Sequence, residues 1–167
     1  MRLKSIAMAA MFVVSGSALA DSISVPLVQN GNYWTAGFSD SHDSAGAFTD
    51  VFTFTPASVA GLADLSFFNL SYTLPQALTF TSASVNGINV PVANLTPPAS
   101  LPNFSIGGIA PTYLNGSIML TISGVSGGNG SYAGILNVSA VPEPASYAML
   151  MGGLAMLAYM ARRRKQG

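Results

Sequence analysis

Hydrophobic positions along this chain follow two rhythms. Between Asp21 and Ala140 they alternate with polar ones, residue by residue. Phe48–Thr55 (FTDVFTFT) and Leu78–Val85 (LTFTSASV) keep period two and are rich in aromatic and β-branched residues, which predicts strands with one buried face. Asn86-Gly87 follows the second run and suits a type I′ hairpin turn. Ser117–Gly124 alternates through Ile118, Leu120 and Ile122, and the last run places Tyr132, Leu136 and Val138 on one face. Turn clusters such as TPPASLPN and SGGNG separate these segments. The stretch PASVAGLADLSFF has the weakest pattern and is compatible with one turn of helix. Eight or nine short strands in this length, without an internal repeat of fixed period, predict an all-β fold: a single β-sandwich of jelly-roll or immunoglobulin-like type over residues 21–140.

The two ends change rhythm. Ile6–Val14 is an unbroken apolar stretch, too short to span a bilayer, preceded by Arg2 and Lys4 and followed by Ala18-Leu19-Ala20. Basic start, short apolar core and small residues at the cleavage position predict a secretory signal peptide over residues 1–20, with signal peptidase reading Ala18 and Ala20. At the other end, Ala145–Ala161 carries no charge for 17 residues, at the lower limit for a transmembrane helix and about 26 Å long. Arg162, Arg163, Arg164 and Lys165 follow at once and predict a stop-transfer tail that stays cytoplasmic.

Charge sharpens this division. Only 7% of residues are charged, and all six Lys and Arg lie in the two ends. The body holds Asp21, Asp40, Asp43, Asp50 and Asp64 with only His42 and a new amino terminus as cations. Such a body cannot bind nucleic acid through counterion release. The absence of cysteine excludes disulfides, thiolate metal sites and cysteine catalysis.

Pro142-Glu143-Pro144, the short apolar segment and the Arg162–Lys165 cluster together resemble the PEP-CTERM sorting signal of Gram-negative bacteria, here over residues 141–167. The resemblance implies processing by an exosortase, transient anchoring in the inner membrane and export to the cell surface or beyond, within an exopolysaccharide or biofilm setting. Two prolines around a carboxylate also keep the segment extended, the shape a processing enzyme can grip. Phe48-x-Asp50-x-Phe52, with Tyr132-x-Gly134-x-Leu136-Asn137-Val138 running into Val141-Pro142-Glu143-Pro144, resembles the FxDxF subgroup of these proteins, which implies no catalytic activity.

In a strand, Phe48, Asp50, Phe52 and Phe54 share a face, so a carboxylate lies among three phenyl rings. Three readings follow. Asp50 accepts backbone N–H or hydroxyl bonds at a bulge or sheet margin; or it joins Asp40, Asp43 or backbone carbonyls of SDSHDSAG in a Ca²⁺ site, without EF-hand spacing; or it faces solvent. A lone histidine in a polar loop, His42 is expected at the surface. No Ser-His-Asp set, phosphate loop or placed carboxylate pair emerges, so no enzymatic activity is expected. Asn69, Asn94, Asn103, Asn115, Asn129 and Asn137 head Asn-x-Ser/Thr triplets, which the Ser/Thr-rich composition explains. Tyr33, Trp34 and Phe38 have the rings to stack on sugars, and core packing explains them equally well. The functional expectation is an exported, non-enzymatic surface or matrix protein; the alternative is a secreted carbohydrate- or Ca²⁺-binding module.

Overall fold

The computed structural model describes residues 19–95, 102–140 and 144–164. The strands are β1 (Leu19–Pro26), β2 (Val28–Asn30), β3 (Tyr33–His42), β4 (Ala45–Ser71), β5 (Leu78–Val85), β6 (Ile88–Asn89), β7 (Val92–Leu95), β8 (Asn103–Gly127) and β9 (Gly130–Ser139), followed by helix α1 (Pro144–Arg164). Among the described residues all nine strands belong to one hydrogen-bonded sheet in the order β2-β3-β9-β4-β8-β5-β6, with β1 parallel to β4 and β7 antiparallel to β8. The all-β expectation holds. The division into two sheets of a jelly-roll or immunoglobulin-like sandwich is not seen in the pairing, and two of the strands are long: 27 residues in β4 and 25 in β8.

The long strands work because their alternation changes phase midway. In β4 the buried positions are Phe48, Asp50, Phe52 and Phe54, then Val59, Gly61, Ala63, Leu65, Phe67, Asn69 and Ser71. Between them the register with β8 moves from Phe54 opposite Ile118 to Val59 opposite Gly116, so β4 carries three extra residues. An odd insertion turns every later side chain to the other face of the strand. The segment PASVAGLADLSFF is therefore strand throughout, not helix. Its first inward positions, Val59, Gly61 and Ala63, are small, which hides the alternation.

The phase change lets the sheet close over its own inner face. Strands that share no hydrogen-bond ladder meet through rings: Phe38 of β3 lies 4.8 Å from Phe52 of β4, and Phe67 of β4 lies 4.9 Å edge-on from Phe80 of β5. Glycines make the space. A Cβ at Gly107 would run into the Phe67 ring, and one at Gly124 would stand 2.6 Å from the Phe48 ring. The Asn86-Gly87 turn forms as expected, both residues having positive φ (48° and 79°), between β5 and β6. Its Asn86 side chain bonds both the N–H of Met119 and the carbonyl of Ser117, tying the turn to β8.

Residues 1–18 lie outside the described residues, and with them most of the expected signal peptide, including Ala18. Leu19 and Ala20 open β1 opposite Phe48 and Thr49. A cut after Ala20 leaves Asp21–Pro26 paired with Asp50–Thr55.

At the C-terminus a helix does form. Pro144 stands at its first turn, where its missing N–H costs nothing. The helix continues through Arg162–Arg164, and side chains 147–163 are exposed. The expected transmembrane span over 145–161 needs correction: among the described residues no helix is long and apolar enough to cross a membrane. Gly152-Gly153 interrupts its apolar stretch, and Tyr147 and Tyr159 bring polar groups toward either end.

Candidate functional site

The polar cluster of the interior is built by three strands. In β3 the inward positions Ala36 and Phe38 continue the period-two pattern through Asp40 to His42. Tyr132 of β9 is directly opposite Asp40 in the ladder. Asp50 projects from β4, whose inner face packs against that of β3.

Asp50 is fully buried, and His42 and Tyr132 are nearly so, at 4% and 2% exposure. One carboxylate oxygen, Asp50 Oδ2, receives both neighbours: the Tyr132 hydroxyl donates at 2.5 Å, and His42 Nε2 lies at 2.9 Å. The imidazole stacks on Phe48, with centroids 4.0 Å apart and planes 24° apart. Asp40 turns Oδ1 to the backbone N–H of Ser41 at 2.7 Å. Two oxygens are left over: Asp40 Oδ2 and Asp50 Oδ1 are buried without a hydrogen-bond partner.

Burial pushes the Asp50 carboxyl above its ordinary range, because the charged form loses water. The Tyr132 hydroxyl bond and the neighbouring His42 oppose that rise, while Asp40 adds to it. Burial, and then the bond to Asp50, raise the Tyr132 phenol far beyond its usual range, so it acts here as a neutral donor.

The hydroxyl bond to Asp50 meets only part of the reading in which that carboxylate is satisfied by hydrogen bonds: the donors are side chains, with no backbone N–H among them, and they reach one oxygen of the two. The solvent-facing reading is excluded by burial. His42 is not a surface residue. It occupies the place expected of Asp43, which is exposed and outside the cluster of Asp40, His42 and Asp50. One ligand atom from each of those three lies within 4.8 Å of the others. A ring nitrogen beside two carboxylates is not the all-oxygen set that Ca²⁺ prefers. Asp-x-His at alternate positions of a strand was the signal for His42; the serines around it give the segment the look of a loop.

Other expected residues separate. Phe38 is core, Trp34 packs against the core and only Tyr33 is well exposed, so these three form no sugar platform. A cavity of about 440 Å³ instead adjoins Ser39, Asp40, Ser41, Phe68, Leu70, Ser131, Tyr132 and Ala133. Asn69, first of the sequon asparagines, is buried, and its side chain bonds three backbone groups.

In the C-terminal segment, Pro144 and Arg162–Arg164 fall within α1, whereas Pro142, Glu143 and Lys165 lie outside the described residues. Comparison with protein families decides what this segment is. Residues 140–165 match the PEP-CTERM protein-sorting motif. The PEP-CTERM match covers Pro142-Glu143-Pro144, the helix and the Arg162–Lys165 cluster. It implies an exported protein whose membrane-associated sorting signal is processed by an exosortase. No curated protein matches the chain. Among solved structures it is similar to the Agl-KA catalytic domain, at 15% identity and a TM-score of 0.31, over 80% of this chain and 30% of that one. The chain thus spans under a third of that domain's length, and the likeness carries no argument about function.

Proposed function

We propose that the protein is a non-enzymatic surface or extracellular-matrix component, a member of the FxDxF subgroup, whose sandwich-like β body is delivered by two removable addresses. Signal peptidase cuts after Ala20, the C-terminal helix holds the chain transiently at the inner membrane, and exosortase removes the tail. The body then resides in or beyond an exopolysaccharide layer, in a biofilm setting. The observation that carries this reading is the PEP-CTERM match over residues 140–165, behind a body devoid of Lys and Arg. Such a body has nothing to hold it to anionic lipid once the tail is gone.

The test is the intact mass of the protein recovered from outside its native cells. A mass running from Asp21 to a terminus between Val141 and Pro144, with or without an added group, supports both addresses. A mass that still includes Ala145–Gly167 would sink the sorting reading.

The cavity beside Phe68 supports a second reading, a carbohydrate-binding module. The exposed ring of Phe68 and the polar residues Ser39, Asp40, Ser41 and Ser131 adjoin one space of about 440 Å³, a size suited to a small sugar. Loss of glycan-array binding in Phe68→Ala would support it, and an array without any wild-type signal would remove it.

A further inference from the structure

The cluster at Asp50 is electrostatically incomplete. Two carboxylates, the buried Asp50 and the partly buried Asp40, meet one imidazole, and the body has no Lys or Arg to balance them. Tyr132 supplies a neutral donor but no charge. Two oxygens, Asp40 Oδ2 and Asp50 Oδ1, are buried and bonded to nothing. Buried polar atoms are rarely left so, and a pair of them in one cluster points to a missing partner.

We propose that Asp40, His42 and Asp50 bind a divalent first-row transition-metal ion of the zinc class. The donor types decide the class. One imidazole nitrogen and two carboxylates suit Zn²⁺ and its neighbours, whereas Ca²⁺ takes six to eight oxygens. His42 Nε2 and Asp50 Oδ2 are 2.9 Å apart, against about 3.4 Å for two atoms each about 2.1 Å from a tetrahedral zinc, and the three ligand atoms lie within 4.8 Å of one another, so an ion would open the His42–Asp50 pair slightly and draw Asp40 in. The third ligand is Asp40, whose Oδ1 is already held by the Ser41 N–H and whose Oδ2 is open. Tyr132 is a positioning residue: its hydroxyl holds the Asp50 carboxylate in place, as outer partners of metal ligands do. The ion neutralises the excess negative charge. It also joins β3 to β4, which share no hydrogen-bond ladder at this point, so its role is structural. This inference stands independently of how the chain is sorted.

The experiment equilibrates the full chain, first stripped with a chelator, against Zn²⁺ and then Co²⁺. Bound metal, melting temperature and the visible absorption of Co²⁺ are read. The expected result is one Zn²⁺ per chain, a melting temperature raised by zinc and lowered again by chelator, and Co²⁺ bands of a low-symmetry nitrogen–oxygen site. Asp40→Asn is the decisive variant, because Asp40 is only partly buried and asparagine retains an acceptor for Ser41. It should fold and bind zinc at least tenfold more weakly. His42→Gln should lose the Co²⁺ bands. A folded wild-type chain that takes up neither metal, an Asp40→Asn chain that binds as tightly as wild type, or preferential binding of Ca²⁺ would each overturn the proposal.

Discussion

Two buried polar side chains on β4, Asp50 and Asn69, face the same interior from opposite halves of one strand. Asn69 is complete. Its amide donates to the carbonyls of Ser131 and Gln76 at 2.7 and 3.3 Å, and its oxygen accepts the Leu78 N–H at 3.2 Å. Asp50 concentrates its donors on one oxygen and leaves the other bare, 2.9 Å being the length of its contact with His42. Both are buried, at 3% and 0% exposure. The difference separates a structural clamp, in which every bond is made within the chain, from a cluster with bonding capacity to spare. Spare capacity inside a core costs stability unless something uses it.

The largest effect is expected at the clamp. Asn69→Ala leaves the Leu78 N–H and the Ser131 and Gln76 carbonyls without their partner and should cost about 3 kcal/mol, read as a lower urea midpoint with unchanged slope. A loss under about 1 kcal/mol would mean water replaces the amide, and the contrast with Asp50 would weaken. Next is Tyr132→Phe, which removes the hydroxyl donor to a charge-bearing acceptor and should cost about 2 kcal/mol. Without that donor the Asp50 carboxyl should titrate at still higher pH, a change that simple loss of packing would not produce.

The third test uses pH, with chelator present. Because burial raises the Asp50 carboxyl above its ordinary value of 3.8, the folded chain binds that proton more tightly than the unfolded chain. The contribution of this group to stability is therefore greatest below about pH 3.8 and falls as pH rises through the folded value, then levels off; the slope for one proton is at most about 1.4 kcal/mol per pH unit. His42, Tyr132 and Asp40 face the group and set where the fall ends. Asp50→Asn should flatten this segment of the profile, while Asn69→Ala should only lower it. An unchanged profile in Asp50→Asn would show that the carboxylate is balanced in the native state.

These contrasts also explain what the sequence revealed. The Phe48-x-Asp50-x-Phe52 face, the Asn86-Gly87 turn and the inward set Tyr132, Leu136 and Val138 were legible because local alternation alone specifies them. The sorting motif was legible because it is linear and needs no fold. The continuity of β4 was not, since three extra residues between Phe54 and Val59 change its phase and small inward side chains mask the pattern. The cluster was only half legible: Asp50 drew attention, but Tyr132 is 82 positions away and His42 sits among serines. The clamp was hidden because an Asn-x-Ser triplet reads as ordinary composition, and its partners are backbone groups of other strands.

The smallest effect is expected where the bonded groups are partly wet. Thr35 donates to the Asn137 oxygen at 2.9 Å, and the Asn137 amide donates to Asp64 at 2.9 Å, a chain linking β3, β9 and β4. It resembles Asn69 in that the side-chain amide both donates and accepts, and differs in being only partly buried. Water can reach the groups that Asn137→Ala would free, so the loss should be near 1 kcal/mol, about a third of that at Asn69. Asp64 in this variant turns to solvent rather than into an apolar core, so the pH profile should keep its wild-type shape. If the two asparagine variants cost the same, burial is not what makes Asn69 a clamp, and the argument that bare oxygens at Asp50 are expensive for the same reason loses its support.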